Sequence, residues 1–335
     1  MNKKKNIVVI GGGTGTFAVL SGLKKYKDLK LQAIITVSDD GGSNKKFRDE
    51  FGLLPPSDFR QCLVALSSDE PKHDTLRKLM MYRFSKGVGL EGQTFGNILI
   101  AALTDIEGSQ LQAFEEAGRI LNIKGEIIPI TTENVRLMAE YENGEVVFGE
   151  HVIDEPEAFH DYRQKIKRLF LNRKVKVYKK AKQAINAADF IILGPGDLYT
   201  SILANIIVGN AAELIKNSKA KIIYNINLMT KLGQTFGFTA KDHVEEIKKY
   251  IGRYPCYVTI NINNLPKAAL ARYKEKKEKP IEDDLDGKNY KVIRGNFVAK
   301  EMITKSKGDV LERSLIRHDS NKLAKTLYKI FKEGE

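Results

Sequence analysis

Ile7-Val8-Val9-Ile10-Gly11-Gly12-Gly13-Thr14-Gly15-Thr16 is the stretch on which the fold turns. Four consecutive β-branched apolar residues read as a short strand buried on both faces, as in the first strand of a parallel sheet. The glycines then allow a sharp turn and a close approach to a ligand, because they carry no Cβ. A helix follows, with Phe17, Leu20 and Leu23 on one side. The unpaired N–H groups at its start, together with the helix dipole, favour a phosphate at the turn. Gly12, Gly13, Thr14 and Gly15 are therefore candidate ligand contacts. Gly13-x-Gly15-x-x-Ala18 also satisfies the dinucleotide fingerprint, a pattern that is weak alone. The competing reading is a tight turn with no ligand.

Working outward, Leu31–Val37 reads as a second buried strand that ends in Ser38-Asp39-Asp40-Gly41-Gly42-Ser43. In a nicotinamide-binding fold an acid about 20 residues beyond the fingerprint bonds the ribose, a role open to Asp39 or Asp40. Two adjacent carboxylates at a strand end also suit a hard cation such as Mg²⁺, or a base for a hydroxyl. A simple Asp-Gly turn is the bland alternative. Asp39 and Asp40 are the only metal candidates, and Gly41, Gly42 and Ser43 join them as ligand candidates. Pro55-Pro56-Ser57-Asp58 leads into a helix that Ser57 or Asp58 could cap, with Arg60 in its first turn within reach of a phosphate. Further helices are expected over 73–84, from Ile98 to Leu103 behind Thr94-Phe95-Gly96-Asn97, and from Leu111 to Leu121.

Ile127–Ile130 reads as a strand, and Glu142-Asn143-Gly144 between two apolar runs is a hairpin signal outside any parallel core. Residues 156–170 read as a charged amphipathic helix. A second strand-and-glycine motif follows, Ala188–Leu193 and then Gly194-Pro195-Gly196-Asp197-Leu198-Tyr199-Thr200-Ser201. Its glycines and hydroxyls beside a helix start make another anion site. Lys221–Asn227 and Tyr257–Asn263 read as further strands, and Asn225 and Thr230 lie where a crevice wall is expected. His243 on a helix reads as structural. Residues 272–288, charged and containing Pro280 and Gly287, read as a mobile loop.

Buried strands that end in polar loops and feed helices predict an α/β fold, a parallel sheet covered on both faces. Ligands in such sheets sit beyond the carboxyl ends of the strands, where strand order reverses. The 335 residues carry 55 Lys+Arg against 42 Asp+Glu, a net charge of +13 that attracts anions. The basic runs lack zinc-finger spacing or an aromatic–basic stripe, so a nucleic-acid partner is not expected. Two cysteines are too few for a disulfide framework. The apolar run after the basic start is too short for a signal peptide, and no run approaches a membrane span, so a cytoplasmic protein is expected. GxxxxGK[ST], Gly-x-Ser-x-Gly and HExxH are absent.

Gly11-Gly12-Gly13-Thr14-Gly15, Asp39-Asp40-Gly41-Gly42-Ser43, Leu54-Pro55-Pro56-x-Asp58-x-Arg60-x-Cys62-Leu63, Gly96-Asn97, Leu193-Gly194-Pro195-Gly196-x-Leu198-Tyr199-Thr200-Ser201 and Leu315-Ile316-Arg317-His318-Asp319 occur in this order. Together they resemble the YvcK branch of the YvcK/CofD family. The resemblance implies one domain over residues 6–330. Its Rossmann-like core would span about 6–55 and 121–265 with the C-terminal helix, and a smaller helical part about 56–120. It implies a UDP-sugar or related nucleotide-diphosphate sugar as ligand, with regulatory links to cell shape and peptidoglycan synthesis. Protein partners in cell-wall synthesis and a homo-oligomer are expected with it, and this gluconeogenesis-factor branch has no established reaction. The CofD branch implies the alternative, a Mg²⁺-dependent transferase of phospholactate from a guanosine-linked donor. The sequence departs from the family's wording at Asn44-Lys45, Ser57 and Asp197. It also has Gln234 and Phe236 in a motif that usually carries two acids.

Overall fold

The computed structural model describes residues 4–156, 161, 163–301 and 314–333. Seven parallel strands form the main sheet: β1 (Lys5–Gly11), β2 (Leu29–Ile35), β3 (Glu126–Pro129), β7 (Phe190–Leu193), β8 (Lys221–Asn225), β9 (Tyr257–Asn261) and β10 (Lys291–Gly295). A small antiparallel sheet holds β4 (Leu137–Tyr141), β5 (Val146–Phe148) and β6 (Ile166–Leu171). The strand order is β10-β9-β8-β7-β1-β2-β3. From β1 the chain builds outward through β2 to β3, and from β7 it builds the other way through β8 and β9 to β10. The reversal falls between β1 and β7, which pair with Ile10 opposite Leu193. The expected α/β architecture is the one found.

Ile7 to Ile10 and Ile191 to Leu193 are all fully buried, so both faces of the sheet are covered. That explains why these strands read as unbroken apolar runs rather than alternating ones. The first helices are α1 (Thr14–Leu23) and α2 (Ser43–Phe51). A helical part follows, with α3 (Pro56–Leu66), α4 (Asp74–Met81), α5 (Phe95–Glu107) and α6 (Gln110–Ile120). Beyond it lie α7 (Glu150–Asp154), α8 (Lys179–Ala187), a π-helix (Leu198–Leu203), α9 (Ala204–Ile206), α10 (Ala211–Asn217), α11 (Ala240–Ile251), α12 (Lys267–Glu275) and α13 (Ser320–Glu333). The terminal helix buries Leu323, Leu327, Ile330 and Phe331, and a Cβ on Gly22 of α1 would lie 2.1 Å from the Ser320 carbonyl. The amphipathic stripe of α13 thus seals the first βα unit. Among the described residues no single helix is long and apolar enough to cross a membrane.

Three local expectations are corrected. The amphipathic helix read over 156–170 is not formed: residues 166–171 are strand β6, paired antiparallel with β4, and residues 157–160 and 162 lie outside the described residues. Its charges suit a strand as well, because Lys167 and Arg168 both reach Glu140 across the pair, at 2.8 and 2.5 Å. The 272–288 segment is anchored rather than loose. Ile281 and Leu285 are buried, and Lys279 and Thr230 exchange hydrogen bonds at 2.8 and 2.9 Å. Two apolar anchors hidden in a charged stretch escaped a reading based on composition. Finally, α3 begins after Pro55 with Pro56 at its first position, so Ser57 and Asp58 lie inside the helix and neither caps it.

Candidate functional site

The loop after β1 and the loop after β7 meet above the point of strand reversal. The first turn of α1 opens into this crevice with the unpaired N–H ends that every helix start carries. Gly13, Thr14, Gly15, Gly41, Pro195, Gly196, Asp197, Thr200, Ser201 and Thr230 all line it, so the structure brings most of the predicted site residues together. Asp39 and Asp58 line it too.

The glycines have a tighter explanation than ligand approach. A Cβ on Gly15 would lie 1.7 Å from the Pro195 carbonyl oxygen, and one on Gly13 would lie 2.4 Å from both Asp58 Oδ1 and Gln61 Nε2. On Gly12 it would meet Ser201 Oγ at 2.8 Å. The absent side chains let the two loops and α3 pack against each other, which brings the start of α1 into the crevice. Gly194 takes a positive φ of 69° and Gly196 one of 150°, with a cis peptide between Gly194 and Pro195. Asn227 Oδ1 accepts from the Gly196 N–H at 2.9 Å and fixes that turn.

Several predicted residues turn away. The Asp39 and Asp40 carboxylates do not converge. Asp39 accepts from the Gly41 N–H at 2.9 Å and from Asn44 Nδ2 at 2.6 Å. Asp40 is buried, pairs with Arg136 at 3.3 Å and accepts from the His151 N–H at 2.8 Å. Among the described residues no group of three or more His, Cys, Asp or Glu is placed to hold a metal ion, and with Asp40 turned to Arg136 only Asp39 of the pair lines the crevice. Arg60 is buried in the helical part, where its Nε donates to Asn97 Oδ1 at 2.9 Å and an Nη to the Met80 carbonyl at 3.3 Å. Asn97 in turn donates to Ser57 Oγ at 3.1 Å. Neither Arg60 nor Asn97 lines the crevice. Asn225, fully buried, donates to the Gly194 carbonyl at 3.1 Å and accepts from Thr259 Oγ1 at 2.7 Å, so it braces the loop from beneath. Tyr199 lies on the far side of the π-helix, next to Phe238 and Glu246. Gly42, with φ of 51°, precedes α2, which Ser43 begins.

In their place the fold supplies residues that sequence reading had not singled out. Short helix α7 carries Glu150 and Asp154 to the crevice, and the loop after β8 brings Asn227 and Lys231. Lys231 Nζ lies 3.3 Å from Asp154 Oδ2, and Gln234 Nε2 donates to Asp154 Oδ1 at 2.9 Å. Glu278 also lines the crevice and accepts from the Leu232 N–H at 3.2 Å. Burial opposes the Lys231 charge, but Asp154, Asp197 and Glu278 outweigh it and hold the ammonium firmly protonated. Burial, and then the charge of Asp154, push Asp197 up to about 7. Glu150 is raised well above the carboxylate range, first by burial and then by Asp39 and Asp154. A second patch of the wall is apolar, with Leu228, Met229, Tyr273 and Ile316 beside His318. Burial lowers His318 to about 4, so its ring is neutral. The loop after β8 is at the crevice as its place behind a parallel strand leads one to expect, with Thr230 in its lining, whereas nothing local in the sequence of α7 marks Glu150 and Asp154.

The comparisons agree with this architecture. The sequence model described as 2-phospho-L-lactate transferase CofD matches residues 7–298. A Bacillus subtilis protein named gluconeogenesis factor is 37% identical over 335 residues, covering 99% of this chain and 100% of its own length. A protein of the same name from Halalkalibacterium halodurans is 37% identical, covering 97% of this chain and 96% of that one. A crystal structure of a UPF0052-family protein from Bacillus halodurans superposes with a TM-score of 0.86 at 35% identity, covering 98% of this chain and 100% of that one.

Proposed function

The chain belongs to the CofD family, among relatives named gluconeogenesis factor, and from that premise we propose that it binds a nucleotide-diphosphate sugar, a UDP-sugar in the first instance, and acts as a regulator rather than a catalyst. The observation that carries this reading is the junction of Gly15 with Pro195. It sets the start of α1 and the Gly196–Ser201 turn side by side at the strand reversal. Backbone N–H groups and the Thr14, Thr200 and Ser201 hydroxyls suit phosphate oxygens there. The apolar patch of Leu228, Met229, Tyr273 and Ile316 suits a nucleobase. The overall charge of +13 favours encounter with an anionic ligand. The link to peptidoglycan synthesis and cell shape, and a cytoplasmic setting, follow from the family resemblance.

The test is calorimetry of the purified protein against UDP-N-acetylglucosamine, GDP and NAD, each with and without Mg²⁺, with the ligand recovered afterwards. Binding of the UDP-sugar, recovered intact and indifferent to Mg²⁺, supports the regulatory reading. Preference for GDP that Mg²⁺ strengthens would favour the transferase described for the family. Binding of NAD alone would favour a nicotinamide enzyme.

A further inference from the structure

The small antiparallel sheet has two edges, and the fold treats them differently. Its strand order is β5-β4-β6. Along the β6 edge, Tyr250 Oη of α11 accepts from the Leu169 N–H at 2.8 Å, and Lys249 Nζ of the same helix donates to the Lys167 carbonyl at 3.1 Å. Side chains close that edge. Among the described residues no strand pairs with the outer edge of β5.

The ladder fixes where the groups of β5 point. The Glu145 carbonyl accepts from the Tyr141 N–H at 2.9 Å, and the Gly149 N–H donates to the Leu137 carbonyl at 2.8 Å. Hydrogen-bonded positions alternate along an antiparallel strand, so Val146 and Phe148 turn their N–H and C=O groups outward. Their side chains share one face and are 51% and 50% exposed. On that face Phe148 continues a row with Met138 of β4 and Phe170 of β6. Val146-Val147-Phe148 has neither the charge nor the proline that commonly guards an open edge.

This edge fits a copy of itself. In an antiparallel two-fold pairing centred on Val147, Val146 of each copy lies opposite Phe148 of the other. Each such pair exchanges both of its N–H···O bonds, and a β-branched residue meets an aromatic one, a favourable cross-strand pair. The charges are compatible with the same axis. Glu145, next to the strand, falls opposite Gly149 of the second copy, four residues or about 13 Å from its own counterpart. A strand of 3 residues is small beside the roughly 800 Å² per partner of a standard interface, so the association is weak and depends on concentration.

We propose that β5 is a self-docking edge: two copies of the chain pair through Val146–Phe148 about a two-fold axis at Val147, joining their small sheets into one.

The test is sedimentation velocity of the purified protein from about 1 μM to about 1 mM, where weak complexes dissociate. The wild type should show a monomer–dimer equilibrium. Val146→Lys combined with Phe148→Lys sets like charges opposite each other across the axis and should weaken dimerisation at least tenfold. Val146→Glu combined with Phe148→Lys sets opposite charges there and should dimerise at least tenfold more tightly than the double-lysine variant. Circular dichroism checks the fold of both. Hydrogen exchange on the wild type gives a reading that needs no variant: the Val146 and Phe148 amides should exchange at least threefold more slowly at the highest concentration than at the lowest. A monomer throughout the range, a dimer indifferent to the lysine pair, no recovery with opposite charges in folded protein, or exchange at these amides that ignores concentration overturns the proposal.

Discussion

The Pro195 carbonyl oxygen stands where the side chain of residue 15 would begin, 1.7 Å from an ideal Cβ on Gly15. The two loops at the strand reversal are therefore a single packed unit, and glycine at 15 is a condition of their meeting. Gly15→Ala must push backbone against backbone. We expect destabilisation at or above the roughly 1–3 kcal/mol usual for overpacking. Chemical denaturation with urea measures it, and an unchanged midpoint would contradict the junction described here.

Asn225 supports the same junction from within the sheet. Asn225→Ala leaves the Gly194 carbonyl and the Thr259 hydroxyl without the partners they have now. A cost of roughly 1–3 kcal/mol follows for a buried group left unsatisfied. It should appear as a lowered thermal midpoint, with weaker nucleotide binding because the turn above it loosens. Weaker binding at unchanged stability would instead mean that Asn225 contacts ligand directly.

Arg60 gives the opposite pattern. Its guanidinium serves Asn97 and the Met80 carbonyl inside the helical part. Arg60→Ala should destabilise the protein while leaving the affinity of the folded fraction for nucleotide within about threefold, that is, within about 0.7 kcal/mol. A loss of affinity of tenfold or more without loss of stability would return Arg60 to the phosphate.

The buried pair of Tyr224 and His243 makes stability depend on pH. The Tyr224 hydroxyl lies 3.0 Å from His243 Nδ1, and burial lowers the His243 pKa to about 4. Because the folded pKa lies below the unfolded value of about 6.5, the contribution is fully present above pH 6.5. It is lost progressively as pH falls from there through about 4, amounting to about 3 kcal/mol when complete. His243→Gln should flatten this part of the stability profile measured by denaturation between pH 7 and 4. A profile of equal slope would remove His243 as its source.

Asp197 should make ligand binding titrate near neutrality. Its pKa, raised to about 7 first by burial and then by Asp154, means that the carboxyl is largely neutral below pH 7 and charged above it. Affinity for a diphosphate should fall several-fold as pH rises from 6 to 8, and Asp197→Asn should lessen the fall. Calorimetry across that range reads it directly. An unaltered pH dependence in Asp197→Asn would assign it to another group.

The sequence by itself determined the parallel α/β core and its glycine turns. Residues such as Ile7 to Ile10 announce a strand buried on both faces through composition alone, and the stripe of Leu323, Leu327 and Phe331 announces a helix with one buried side. Both are local signals of periodicity and burial, legible wherever the element comes to pack. The hairpin at Asn143-Gly144 was legible for the same reason. Which side chains face the crevice was decided only by tertiary structure. Asp40, Arg60, Asn97 and Asn225 have the polar character of ligand contacts, yet each is committed to a protein partner distant in sequence. Glu150, Asp154 and Lys231 have the look of ordinary surface charges, yet the packing of α7 against the loop after β8 gathers them beside Asp197. Charge and hydrogen-bonding capacity are properties of a residue, but whom it pairs with depends on chain segments brought together from far apart.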